Sequence, residues 1–130
     1  MRPMLVAVLA AAIAGFGMSA AVAQDAGPAK VAQTSLGPTL TDASGMTLYT
    51  YTRDMTGFSN CNDQCAAAWP PLAAAADAKA NGDWTIIVRD DGKKQWAYKG
   101  RALYTWSKDF KPGDTTGDGG DNGKWRTAKP

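Results

Sequence analysis

The chain has 130 residues and a formal net charge of +2, from 14 Lys and Arg against 12 acidic residues, with no His and, on direct reading, no Glu. The lack of His excludes imidazole zinc sites, His general bases and Ser-His-Asp triads. A near-neutral balance without a basic block that could track phosphates argues against a nucleic-acid partner.

The chain opens with Arg2, an apolar run from Met4 to Ala23, and the small-residue sequence Ala21-Val22-Ala23. These are the charged start, apolar middle and A-x-A end of a secretory signal peptide, predicted over residues 1–23 with cleavage before Gln24. The run is just long enough to span a bilayer, so an uncleaved anchor is the alternative, but its Ala and Gly content favours cleavage. No later stretch is apolar for long enough to cross a membrane. A flexible leader is predicted over 24–35 and one folded domain over 36–130, in a periplasmic or secreted setting.

From Leu36 onward, short runs rich in aromatic and β-branched residues alternate with Gly-containing turns. The runs are Leu40–Asp42, Met46–Asp54, Trp84–Arg89, Lys94–Tyr98 and Arg101–Asp109, and the turns include Ser44-Gly45, Asp91-Gly92 and Lys99-Gly100. This predicts a mainly β fold, a small antiparallel domain closed as a sandwich or a small barrel. Cys61–Trp69 and the Ala-rich Leu72–Ala80 are the helical candidates, separated by Pro70 and Pro71. Within the strands, Trp84, Ile86 and Val88 are expected to share one face, with Trp96 and Tyr98 on another, as core residues.

Cys61 and Cys65 stand four apart in a chain bound for an oxidising compartment, and are read as a disulfide that pins a short helical turn. The alternative is a reactive dithiol, although the spacing is not C-x-x-C.

An internal repeat emerges when the chain is shifted by 55 residues. Gly45-Met-Thr-Leu-Tyr-Thr-Tyr-Thr-Arg-Asp54 then lies over Gly100-Arg-Ala-Leu-Tyr-Thr-Trp-Ser-Lys-Asp109, and eight of ten positions agree in type. Two related β units, about 36–71 and 84–130, are therefore expected to share a core.

These residues carry a family likeness. The paired strings Tyr49-Thr-Tyr51-Thr-Arg-Asp54 and Tyr104-Thr-Trp106-Ser-Lys-Asp109, with Cys61, Cys65 and Trp69-Pro70-Pro71 between them, resemble a bacterial secreted-repeat family described as predicted lipoproteins with a Yx(F/W/Y)xxD motif. The resemblance runs from about Leu36 to Pro130. It implies an exported module of unknown function. The chain departs from lipid-anchored members in having Gln24, not Cys, after the expected cleavage site, so a soluble form is expected.

In each repeat, strand alternation puts Tyr49, Tyr51 and Arg53, or Tyr104, Trp106 and Lys108, on one face. Such a face is either a platform for a small ligand or envelope partner, with Tyr49, Tyr51, Asp54, Trp69, Tyr104, Trp106 and Asp109 as the candidate contacts, or part of the core. Asp54 and Asp109 recur at the strand ends, where they can hold turn N–H groups or, if they converge, form a carboxylate pair. No second kind of catalytic group accompanies them, so the protein is read as a non-enzyme without a cofactor. Asp114, Asp118 and Asp121 in the Gly-Asp loop offer oxygen ligands for calcium, but without EF-hand spacing.

Overall fold

The computed structural model describes residues 27–130. The predicted signal peptide lies outside the described residues, as does the start of the leader. In chain order the elements are β1 (Lys30–Thr34), β2 (Gly37–Thr41), β3 (Tyr49–Tyr51), α1 (Gln64–Ala68), β4 (Trp84–Val88), β5 (Lys94–Tyr98), β6 (Arg101–Ala102) and β7 (Trp125–Thr127). Gly120–Gly123 makes a tight turn in which Asp121 and Asn122 are left-handed, with φ of 51° and 57°.

The fold is mainly β. The strands form three small antiparallel sheets, β1-β2, β3-β7 and β4-β5-β6, joined by isolated bridges and not closed into a barrel. The sequence places a leader where β1 begins, but Lys30–Thr34 pairs residue for residue with β2, from Lys30 opposite Thr41 to Thr34 opposite Gly37. Its mixed sequence Lys-Val-Ala-Gln-Thr hid it, because none of its side chains is fully buried and the ladder hydrogen bonds to β2 hold it in place.

Leu72–Ala80 is not a helix. Leu72 N–H donates to Leu103 O, Trp96 N–H to Leu72 O, and Ala74 N–H to Lys94 O, so this segment extends the second repeat's sheet. Past Leu72 it is mostly Ala, and a helix there would have little apolar area to bury on one face.

The two repeats are interlocked. In the first unit Leu48 N–H donates to Leu40 O, Leu40 N–H to Ala128 O, and Ala128 N–H to Leu48 O. The second unit repeats this circuit with Leu103, Trp96 and Leu72 in the same roles. Each repeat therefore lends its closing segment to the other. At the centre Tyr49 N–H donates to Tyr104 O at 2.7 Å and Tyr104 N–H to Tyr49 O at 3.0 Å, on a local two-fold relation.

This crossing buries both faces of the motif strands. Tyr49 and Tyr104 enter one apolar cluster with Cys61, Trp69, Ile87 and Trp125. Leu48 and Leu103, one residue earlier and on the opposite face, enter a second cluster with Leu40, Trp84 and Ala128. Burying each of those leucines contributes on the order of 2 kcal/mol. The β4 face differs from expectation: Trp84 and Ile87 are buried, while Val88 is 66% exposed. Ile87 and Arg89 share the face of β4 that turns inward near the Asp91-Gly92 turn, so Val88 between them points outward.

Candidate functional site

The motif residues meet in the interior, each pairing with the other repeat. Tyr49 Oη donates to Asp109 Oδ2 at 2.6 Å, and Tyr104 Oη donates to Asp54 Oδ2 at 2.7 Å. The first residue of each Y-x-[FWY]-x-x-D string is thus bonded to the last residue of the other string. Each Asp also holds its own turn through Oδ1, Asp54 by accepting from Asn60 N–H and Asp109 by accepting from Thr116 N–H and Oγ1. A carboxylate with its oxygens filled in this way is a structural clasp.

Burial sets the protonation of this site. The Tyr49 and Tyr104 phenols are pushed well above their ordinary range, first by burial and then by the neighbouring carboxylates. Burial also raises Asp54, against the lowering effect of its bonds from Asn60 and Tyr104.

The remaining aromatic motif residues stack in one column. Tyr51 lies on Trp125 with ring centroids 4.3 Å apart, Trp125 on Trp69 at 3.8 Å, and Trp69 on Trp106 at 4.0 Å. Tyr49 meets Trp69 edge-on at 5.4 Å, and Tyr104 meets Trp125 edge-on at 5.0 Å. The column obeys the same two-fold relation, with Trp69 and Trp125 as counterparts. Tyr49, Trp69, Tyr104 and Asp109 are buried, whereas Tyr51, Asp54 and Trp106 are half-buried at its margins. Of the two readings open to this face, platform or core, these residues pack as core, and only the two ends of the column reach the surface.

Two loops of different chemistry hold the two inner tryptophans. Before Trp69 stand α1 and the Cys61–Cys65 disulfide. Before Trp125 stands the Gly-Asp loop, whose Gly117 lies so close to the column that a Cβ there would be 2.7 Å from Trp69 Cη2 and 3.0 Å from Trp106 Cγ. The glycines let the backbone lie against indole faces. The loop's carboxylates do not gather: Asp114 binds Lys111, Asp118 accepts from Thr127 N–H, and Asp121 lies 3.7 Å from Lys124 Nζ. Among the described residues no group of three acidic or Cys side chains is placed to hold a metal ion.

Arg89 is a site residue that sequence reading misses. Only 5% exposed, it donates to Ser59 Oγ, Gln95 Oε1, Cys61 O and Asn62 Oδ1. Ser59 in turn lies 2.6 Å from Tyr104 Oη, and because that phenol donates to Asp54, Ser59 donates to it. A continuous polar line therefore runs from Arg89 to Asp54 and fastens the disulfide loop to the motif. Its only sequence signal is a base at the end of a strand, which is ordinarily a solvated residue.

A family model described as a secreted repeat of unknown function matches the chain twice, over residues 30–73 and 85–129. The chain belongs to this family of secreted repeats. In the secreted-repeat protein, each matched unit comprises one hairpin, one motif strand and the closing segment lent to its twin. No curated protein matches the chain, and no solved structure does. No helix among the described residues is long and apolar enough to cross a membrane.

Proposed function

We propose that the protein is an exported, non-enzymatic module of the bacterial envelope that holds a partner or a small ligand at its surface without turnover. The reciprocal Tyr49–Asp109 and Tyr104–Asp54 pairs carry this reading. The groups best suited to acid-base work fill one another's hydrogen-bonding capacity, so the repeated motif acts as a clasp and binding belongs to what lies outside it. Signal cleavage before Gln24, and no lipid at that residue, give a soluble periplasmic or secreted protein.

The test is a native mass spectrum of the protein purified gently from its export compartment, followed by the denatured mass of the same sample. The expected denatured mass begins at Gln24, lacks lipid and is two hydrogens short for the disulfide, while the native mass carries an addition that denaturation removes. Turnover of any substrate that is abolished by Asp54→Asn or Asp109→Asn in folded protein would overturn the reading.

A further inference from the structure

Beside the turn between β5 and β6 the surface opens into a groove of about 350 Å³, within the size range of small-molecule sites. Buried Leu103 and Ala128 form its floor, Tyr98 a wall, and exposed Lys99, Arg101 and Lys129 its rim. No carboxylate lines it, and none of the three cations has an acidic group within 4 Å among the described residues. Lys99 Nζ stands 5.2 Å from the centre of the Tyr98 ring, and Lys129 Nζ donates to Leu36 O. Lys99 and Arg101 also edge a smaller adjoining cavity that contains Asp54, whose two oxygens already accept from Tyr104 and Asn60.

The duplication provides an internal control. By the register of the repeats, Lys99 corresponds to Ser44 and Arg101 to Met46. Counting on from the paired Trp69 and Trp125, and from the matching bonds of Leu72 and Ala128, Lys129 corresponds to Ala73. The first repeat makes the same strand exchange around a turn one residue longer, Ala43-Ser44-Gly45 against Lys99-Gly100, with no charge at any of the three corresponding positions. The fold does not need the cations, yet one repeat gathers three of them around an apolar floor.

We infer that this groove binds a small amphipathic oxyanion, a carboxylate or phosphate carried on an apolar or aromatic body, with the anion at Arg101, Lys99 and Lys129 and the body against Tyr98, above the buried Leu103 and Ala128. The site rests on the binding-module reading above and gives it a location. Arg101 presents a planar fork suited to either oxyanion, and Lys99 and Lys129 add charge of the same sign.

The experiment is calorimetric titration of the exported protein with 2-naphthoate, 1-naphthyl phosphate and neutral 2-naphthamide. One of the two anions is expected to bind one to one, more weakly as salt is added, and the amide about tenfold or more below it. Carboxylate and phosphate are distinguished by which anion binds. The combined variant Lys99→Ser, Arg101→Met, Lys129→Ala installs the first repeat's residues and is expected to lose about tenfold or more of the anion's affinity with little change in melting. If that variant melts early, Arg101→Met alone carries the test. Failure of both anions to bind at millimolar concentration, or equal binding by the variant, would overturn the site. A native mass addition retained in full by the combined variant would also remove the groove, while leaving the binding-module reading in place.

Discussion

The Tyr49 phenol and the Asp109 carboxylate, 60 residues apart in the chain, meet at 2.6 Å inside the core. The same contact is made by Tyr104 and Asp54 across the local two-fold relation, so each repeat's motif is completed only by its twin.

Tyr49→Phe and Tyr104→Phe are each expected to destabilise the protein by about 1.5–3 kcal/mol, because a hydrogen bond to a carboxylate, buried at Asp109 and half-buried at Asp54, is lost while the ring remains. Tyr49→Ala and Tyr104→Ala, which also empty the ring's space, are expected to cost about 3 kcal/mol or more. Urea unfolding gives these values. A double-mutant cycle of Tyr49→Phe with Asp109→Asn should show coupling, and additive effects would mean that the pair contributes nothing as a pair.

Alkaline pH should unfold the protein through the same phenols. Their folded-state pKa values lie above the ordinary 10.0, so the folded chain keeps both protons after the unfolded chain has lost them. The stabilisation is fully present below the unfolded value and is lost as pH rises beyond it, at about 1.4 kcal/mol per pH unit for each tyrosine. Stability measured by urea midpoint should fall above pH 10, and Tyr49→Phe or Tyr104→Phe should each flatten that fall. A slope identical in all three proteins would contradict the assignment.

Gly117→Ala is a test of the aromatic column. The added methyl would meet Trp69 and Trp106 at 3.0 Å or less, and overpacking of this kind costs about 1–3 kcal/mol. Near-ultraviolet circular dichroism should report the displaced indoles. Normal melting with an unchanged spectrum would mean that the loop backs away without effect.

How much of this was legible in the sequence depends on how far apart the partners are. The repeat could be read because it is a register match, and the β4-β5 and β5-β6 hairpins because turn chemistry is local, whereas the β1-β2 hairpin was taken for part of a leader. Alternation correctly put Tyr49 and Leu48 on opposite faces. It carried no sign that both faces are covered, since the cover comes from the other repeat. The tyrosine–aspartate clasps were invisible for the same reason, and Asp54 and Asp109 offered only their local role at a turn. Leu72–Ala80 misled because alanine favours helix when nothing competes, and here the open edge at Leu103 and Lys94 competes successfully.

Arg89 gives a further prediction. Arg89→Met leaves Gln95 Oε1, Asn62 Oδ1 and the Cys61 carbonyl short of a donor, and is expected to cost about 2–4 kcal/mol. Arg89→Lys should recover little, because one ammonium cannot reproduce the spread of the guanidinium. Cys61→Ser with Cys65→Ser should cost only about 2 kcal/mol, the entropy of so short a loop, because Arg89 still anchors it. Thermal melts rank the three variants. A disulfide variant that is less stable than Arg89→Met would reverse the assignment of which feature holds the loop.

The exchange of closing segments also bears on how such a chain arose. A gene encoding only one unit would specify a product that is unfinished alone yet complementary to itself, since Ala128 serves Leu40 and Leu48 as Leu72 serves Trp96 and Leu103. Two copies of that half-length product would close one another as a symmetric pair. Fusing the two copies would then free each half to diverge, one toward a disulfide and the other toward a ring of cations.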